Sequence, residues 1–210
     1  MMAKEYRKKL SNLDPSGYML KRRDNHLCLL TGQSSFKTSR LDKEKLDFLN
    51  HISDQDLTTV TIGFPWHNEF DILAGKPALI AATIRNIRQY LWLNLDKEYK
   101  KSVSNIIRKI VEMTDKKLVI ITGSCGIGYL SCALENIKVT NELWVLALGP
   151  VGSKNINSKN ISRFHVIQGH NDIWSKLLWL GNVDEYTNCG HMEYYKCPQT
   201  LRATRSFIKG

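Results

Sequence analysis

A chain of 210 residues, 42% of them hydrophobic, is long enough to bury one substantial core and reads as a single domain. No stretch approaches the roughly 18 uninterrupted apolar residues of a membrane span, and Met1 to Lys9 lacks the apolar run of a signal peptide. The net charge of +10 raises nucleic acid as a partner, but Lys and Arg are scattered and never interleaved with aromatics, so they read as a solvated surface and no specific nucleic acid is expected.

Residues 1–16 are polar and read as a loosely held segment ahead of a domain over 17–210. Gly17 to Lys21 and His26 to Leu30 suggest a strand pair across a turn at Asp24-Asn25. Leu46, Leu49 and Ile52 recur at helical spacing within the charged stretch 40–56. Residues 57–62 read as a strand that stops at Gly63-Phe-Pro-Trp66, because proline cannot continue a central ladder. From Gly75 to Met113 the pattern is helical. Lys76-Pro77 opens a first helix with Ile80, Ile84, Ile87, Tyr90 and Leu91 in period, and Val103, Ile106, Ile107, Ile110 and Val111 form one face of a second. There follow strand 117–122, helix 128–137, strand 142–148, strand 163–168, helix 173–180, a short strand over 182–186 and a closing helix with Leu201 and Phe207. Strands alternating with helices predict an α/β fold, a mostly parallel sheet covered on both faces in a three-layer sandwich.

Three stretches carry chemistry. The first, Leu118 to Gly128, is a β-branched run entering a small-residue turn with a hydroxyl, Ser124, beside a thiol, Cys125. In a nucleophile elbow the residues two before and two after the nucleophile approach closely and must be small. Ser124 puts Thr122 and Gly126 at those positions, whereas Cys125 puts Gly123 and Ile127 there. Sterics favour Ser124; strand length and a glycine two before the nucleophile favour Cys125. The same glycines also suit a purely structural turn or a nucleotide turn, though the latter belongs at the first strand of its domain. The second stretch, Val166 to Asp172, ends an apolar run in a carboxylate that can orient a histidine or cap helix 173–180. The third, Cys189 to Pro198, sets His191 after a glycine; His170 competes as base from the acid's own strand end.

Nucleophile, acid and histidine in that order resemble a compact α/β-hydrolase without a lid. Gly169-His-Asn-Asp172 is similar to the family's acid turn and Gly190-His191 to its histidine loop. Gly63-Phe-Pro-Trp66 is similar to its oxyanion turn, with Ile62 where the family often has histidine. The resemblance implies Ser124 or Cys125 as nucleophile, Asp172 and His191 as its partners, and an ester, thioester or activated amide as a small-molecule substrate, with no cofactor. Backbone donors would come from Phe64 and from the residue past the nucleophile, Cys125 or Gly126, ahead of helix 128–137. Trp66, His67 and Trp174 would line a modest aromatic pocket. A strand usual between the oxyanion loop and the helix before the elbow is not recognisable in 67–113. A hydrolase-fold binding protein without turnover is the rival, and the distance from His191 Nε2 to Ser124 and Cys125 discriminates the two. The five cysteines form no C-x-x-C pair, and Cys189 and Cys197 around His191 do not match zinc spacing, so a reducing cytoplasm and no metal are expected.

Overall fold

Apolar runs such as Leu118 to Ile121 and Leu143 to Leu148 have no polar alternation, so they require cover on both faces. A computed structural model, describing residues 1–75, 78–152, 156 and 158–210, supplies it. The Lys76-Pro77 helix opening lies outside the described residues. Among the described residues six strands form one parallel sheet: β1 (Arg23–Thr31), β2 (Thr58–Thr59), β3 (Thr114–Gly123), β4 (Glu142–Leu148), β5 (Arg163–Gly169) and β6 (Glu185–Thr187). Their order is β2-β1-β3-β4-β5-β6, so β3 lies inside the sheet, flanked by β1 and β4. Successive parallel strands need crossovers, and α2 (Lys43–Ile52), α3 (Leu79–Leu95), α4 (Lys97–Glu112), α5 (Gly126–Leu134) and α6 (Ile173–Leu178) lie in them, while α1 (Ala3–Ser11) precedes β1 and α7 (Pro198–Lys209) follows β6.

Two apolar clusters hold the layers together. On one face Cys28, Leu30, Leu118 and Ile120 of the sheet meet Ile106 and Ile110 of α4 and Ile127 and Leu130 of α5. On the other, Leu27, Leu29, Val119 and Ile121 meet Phe48 and Leu49 of α2 and Phe207 of α7. The sheet residues alternate strictly between the clusters, as a period-2 strand requires. Each fully buried Leu or Ile contributes roughly 1.5–3 kcal/mol.

The expected strand pair over 17–30 resolves differently. Asp24 and Asn25 lie inside β1, while Gly17 ends a 3-10 turn (Pro15–Gly17) seated against the His67 ring. A hairpin would need an antiparallel partner, and β1 is occupied on both sides by parallel strands. Strand 57–62 contracts to Thr58–Thr59 at the sheet edge, extended by Val60 N–H donating to Leu27 O at 2.8 Å. Residues 3–11, expected to be loosely held, form α1. Its Tyr6 is fully buried, stacked on Phe36 at 4.3 Å, and its hydroxyl donates to Gln33 Oε1.

Candidate active site

The β3–α5 junction is built as the small residues dictate. Ser124 sits between strand and helix with φ +52, a left-handed conformation costing a non-glycine residue about 1–3 kcal/mol. Backbone bonds hold it there: its N–H donates to Leu148 O at 3.1 Å, and Val151 N–H donates to its carbonyl at 3.1 Å. The neighbours have no room for side chains. A Cβ on Gly126 would overlap Leu30 O of β1, and one on Gly123 would overlap the Tyr195 hydroxyl. The sharp turn leaves the Ser124 hydroxyl partly exposed at the carboxyl end of the sheet. Cys125, in the competing register, points inward, 3% exposed against Gly32. Burial raises its thiol to about 11, which opposes thiolate chemistry near neutral pH.

Asp172 and His191 arrive from the next strands along the sheet. Asp172 follows β5 and His191 follows β6, which pairs beside it. His191 Nε2 lies 3.0 Å from Ser124 Oγ, and its Nδ1 lies 2.9 and 3.0 Å from the two oxygens of Asp172. Since a carboxylate only accepts, Nδ1 carries the proton and Nε2 is free to accept from the Ser124 hydroxyl. Asp172 is fully buried, and a buried charge is tolerated only when its lone pairs are met. Ser175 N–H at the start of α6 donates to it at 2.9 Å and the Tyr194 hydroxyl at 2.7 Å. Burial pulls its pKa up, but the donors from His191, Ser175 and Tyr194 outweigh burial and hold it below the ordinary 3.8. One carboxylate thus both caps α6 and meets the His191 ring.

Neither protein-family models nor curated proteins match the chain. Solved structures do. Over 92% of this chain and 95% of the other, it is similar to esterase PE8, with a TM-score of 0.51 at 11% identity. It is similar to MGS-MChE2, an alpha/beta hydrolase enzyme from the metagenome of lagoon sediments of Mar Chica, Morocco. There the TM-score is 0.52 at 13% identity, over 91% and 94% of the two chains. The chain has the α/β-hydrolase fold.

Within this α/β-hydrolase fold the expected oxyanion loop is elsewhere. Phe64, Trp66 and His67 follow β2, the edge strand, and β1 stands between β2 and β3. Phe64 is packed on Trp66 and Tyr129, and Trp66 is wholly buried. His67 is 1% exposed, and its Nε2 donates to Asp14 O at 2.8 Å while Nδ1 accepts from Glu69 N–H at 3.2 Å. These residues build core rather than line the site. Trp174 is on α6 and half exposed, and His170 stacks on Tyr186 at 5.2 Å. The described residues of 67–113 form no strand, as the sequence suggested: α3 and α4 carry the crossover from β2 to β3 across one face of the sheet.

The loop that does meet the elbow follows β1. A Cβ on Gly32 would overlap Cys125 Sγ and come within 2.9 Å of Asn86 Oδ1 of α3. Gln33 is clamped by the fully buried Gln89 of α3, whose Oε1 accepts from Gln33 N–H at 3.1 Å and whose Nε2 donates to Gln33 O at 2.8 Å. Asn86 Oδ1 is buried without a hydrogen-bond partner. Sequence reasoning also missed Tyr194, whose hydroxyl accepts from Gly169 N–H at 2.7 Å as it donates to Asp172. Gly149, with φ +51, makes room for that pair, since a Cβ there would come 2.5 Å from Asp172 Oδ2. Among the described residues no group of His, Cys, Asp and Glu could hold a metal ion, and no helix is long and apolar enough to cross a membrane.

Proposed function

We propose that the protein is a serine hydrolase that cleaves an ester, or a related thioester or activated amide, through a covalent acyl-enzyme on Ser124. The observation that carries this reading is the 3.0 Å contact between His191 Nε2 and a serine held at φ +52 on a strand-to-helix turn. Ser124 Oγ attacks the carbonyl carbon as its proton passes to His191 Nε2. Asp172 remains anionic, fixes the tautomer and stabilises the imidazolium. The tetrahedral oxyanion takes the backbone N–H of Cys125, at the positive N-terminus of α5. When the carbonyl re-forms, the bond to the leaving group breaks and His191 returns its proton to that alcohol, thiol or amine. Water, deprotonated by His191, then attacks the acyl-enzyme, releasing the acid and restoring the Ser124 hydroxyl.

A fluorophosphonate probe tests this directly. Labelling is expected in the wild type and in Cys125→Ala, and its loss in Ser124→Ala and His191→Ala. Labelling that survives Ser124→Ala at the wild-type rate sinks the proposal.

A further inference from the structure

The apolar residues that define α3 in the sequence face outward. Ile80, Ile84, Ile87, Leu91 and Leu95 recur at helical spacing, each between 48% and 80% exposed. The helix's inner side is instead Gln89 and Leu93. Surface isoleucines scattered singly need no explanation, but a continuous stripe along a 17-residue helix marks an interaction face. The stripe has a cationic flank. Between α3 and α1 runs a groove of about 600 Å³, lined among others by Lys4, Arg7, Lys8, Arg88 and Trp92. Arg7 is paired with Asp96 and lies over the Trp92 ring at 5.4 Å. Lys4, Lys8 and Arg88 form no ion pair with a described residue, and Glu98 is the one acid among the groove's lining residues. The α3 segment itself contains Arg85 and Arg88 and no Asp or Glu.

The other flank leads to Ser124. Asn86 reaches Gly32 beside the elbow, and Tyr90 covers Gly152, next to Val151, which bonds the Ser124 carbonyl. Beyond Asp172, α6 presents Ile173, Trp174 and Leu177, each more than half exposed, with Lys176 between them and no acid. Cations, apolar helix and candidate active site thus follow one another across one side of the molecule.

We propose that this side docks on an anionic lipid surface, with the α3 stripe in the headgroup boundary and Lys4, Lys8 and Arg88 against lipid phosphates. A helix with a wide apolar face and flanking Lys and Arg lies in such an interface. The basic groups add attraction to anionic headgroups that fades with salt. A second protein would have to match α3, the exposed apolar residues of α6 and the cations between separate patches, whereas a lipid surface meets all of them at once. A membrane offers apolar depth along its entire plane. Docking does not use Ser124, so it stands apart from the hydrolase proposal.

Co-sedimentation with vesicles tests it, using phosphatidylcholine alone and phosphatidylcholine mixed with phosphatidylglycerol. The wild type and Ser124→Ala are expected to bind the anionic vesicles equally, and much more weakly at high salt or on neutral vesicles. The double variant Ile84→Asp, Ile87→Asp is expected to lose roughly 10-fold or more of that binding. Lys4→Glu with Arg88→Glu should lose binding and salt dependence together. These positions are exposed, so the variants are expected to fold, which circular dichroism checks. The proposal is overturned by no binding of wild type to anionic vesicles at low salt, by binding indifferent to the two aspartates, or by a dimer that the aspartates convert to monomer without vesicle binding. The last would assign the stripe to a second copy of the chain. Loss of binding in Ser124→Ala would mean that vesicles are recognised through the pocket rather than through α3.

Discussion

His67 and His191 stand in similar sequence surroundings, each a few residues from a glycine, beside aromatics, in a loop beyond a strand. They are put to opposite uses. Both ring nitrogens of His67 bond backbone, Asp14 O and Glu69 N–H, and the ring is buried against Tyr18. Both ring nitrogens of His191 meet side chains, Asp172 and Ser124, and the ring is partly open to solvent. The difference lies in the strand that each loop follows. β6 ends beside β5 and brings its loop to Asp172, whereas β2 lies at the opposite edge of the sheet. Strand order, not local composition, decides which histidine can reach the elbow.

The comparison breaks most visibly at Ser124. Ser124→Ala should lower the rate of ester hydrolysis on the order of 10³-fold or more without unfolding the protein, measured as kcat/KM on a short-chain chromogenic ester. Retention of that rate would remove His191 from any special role. Asp172→Asn should lower kcat by about 10²- to 10⁴-fold through the wrong His191 tautomer. It also alters the acid limb of stability. A carboxylate held below its ordinary value stabilises the fold above that value and loses the contribution as pH falls through its lowered folded pKa. In urea titrations the stability gap between wild type and variant should therefore shrink on acidification below 3.8.

His67→Ala sharpens the contrast from the other side. Leaving Asp14 O and Glu69 N–H without their partner should cost about 2–4 kcal/mol of stability, with the fluorophosphonate labelling rate of the folded fraction unchanged. A labelling rate that fell with stability intact would return His67 to the site. The smallest effect is expected from Tyr194→Phe. Asp172 loses one of its donors, and kcat should drop roughly 3- to 10-fold, with stability lower by about 1.5–3 kcal/mol. An unchanged kcat would make Tyr194 only a packing residue.

The sequence by itself determined the alternation of parallel strands and helices, because runs buried on both faces leave an uninterrupted apolar signal. Residues 142–148 were legible to the residue as β4. It also narrowed the elbow, since Gly126 two positions after Ser124 is small where Ile127 two after Cys125 is not, but the Leu30 O of β1 that excludes a side chain at Gly126 is a tertiary contact. Asp172 and His191 were legible for a similar reason: each lies just beyond a strand on the same side of β3. What only the tertiary structure decided is what depends on order across the sheet and on which side of a helix faces in. The loop beside the elbow is Gly32-Gln33 after β1, because β2 is outermost, and no local pattern encodes that order. Periodicity located α3 but not its direction: the stripe that reads as a core face is turned to solvent, while a glutamine, Gln89, is buried to hold the β1 loop. A 3.6-residue period records that a helix has two sides, and which of them is covered is set by the elements around it.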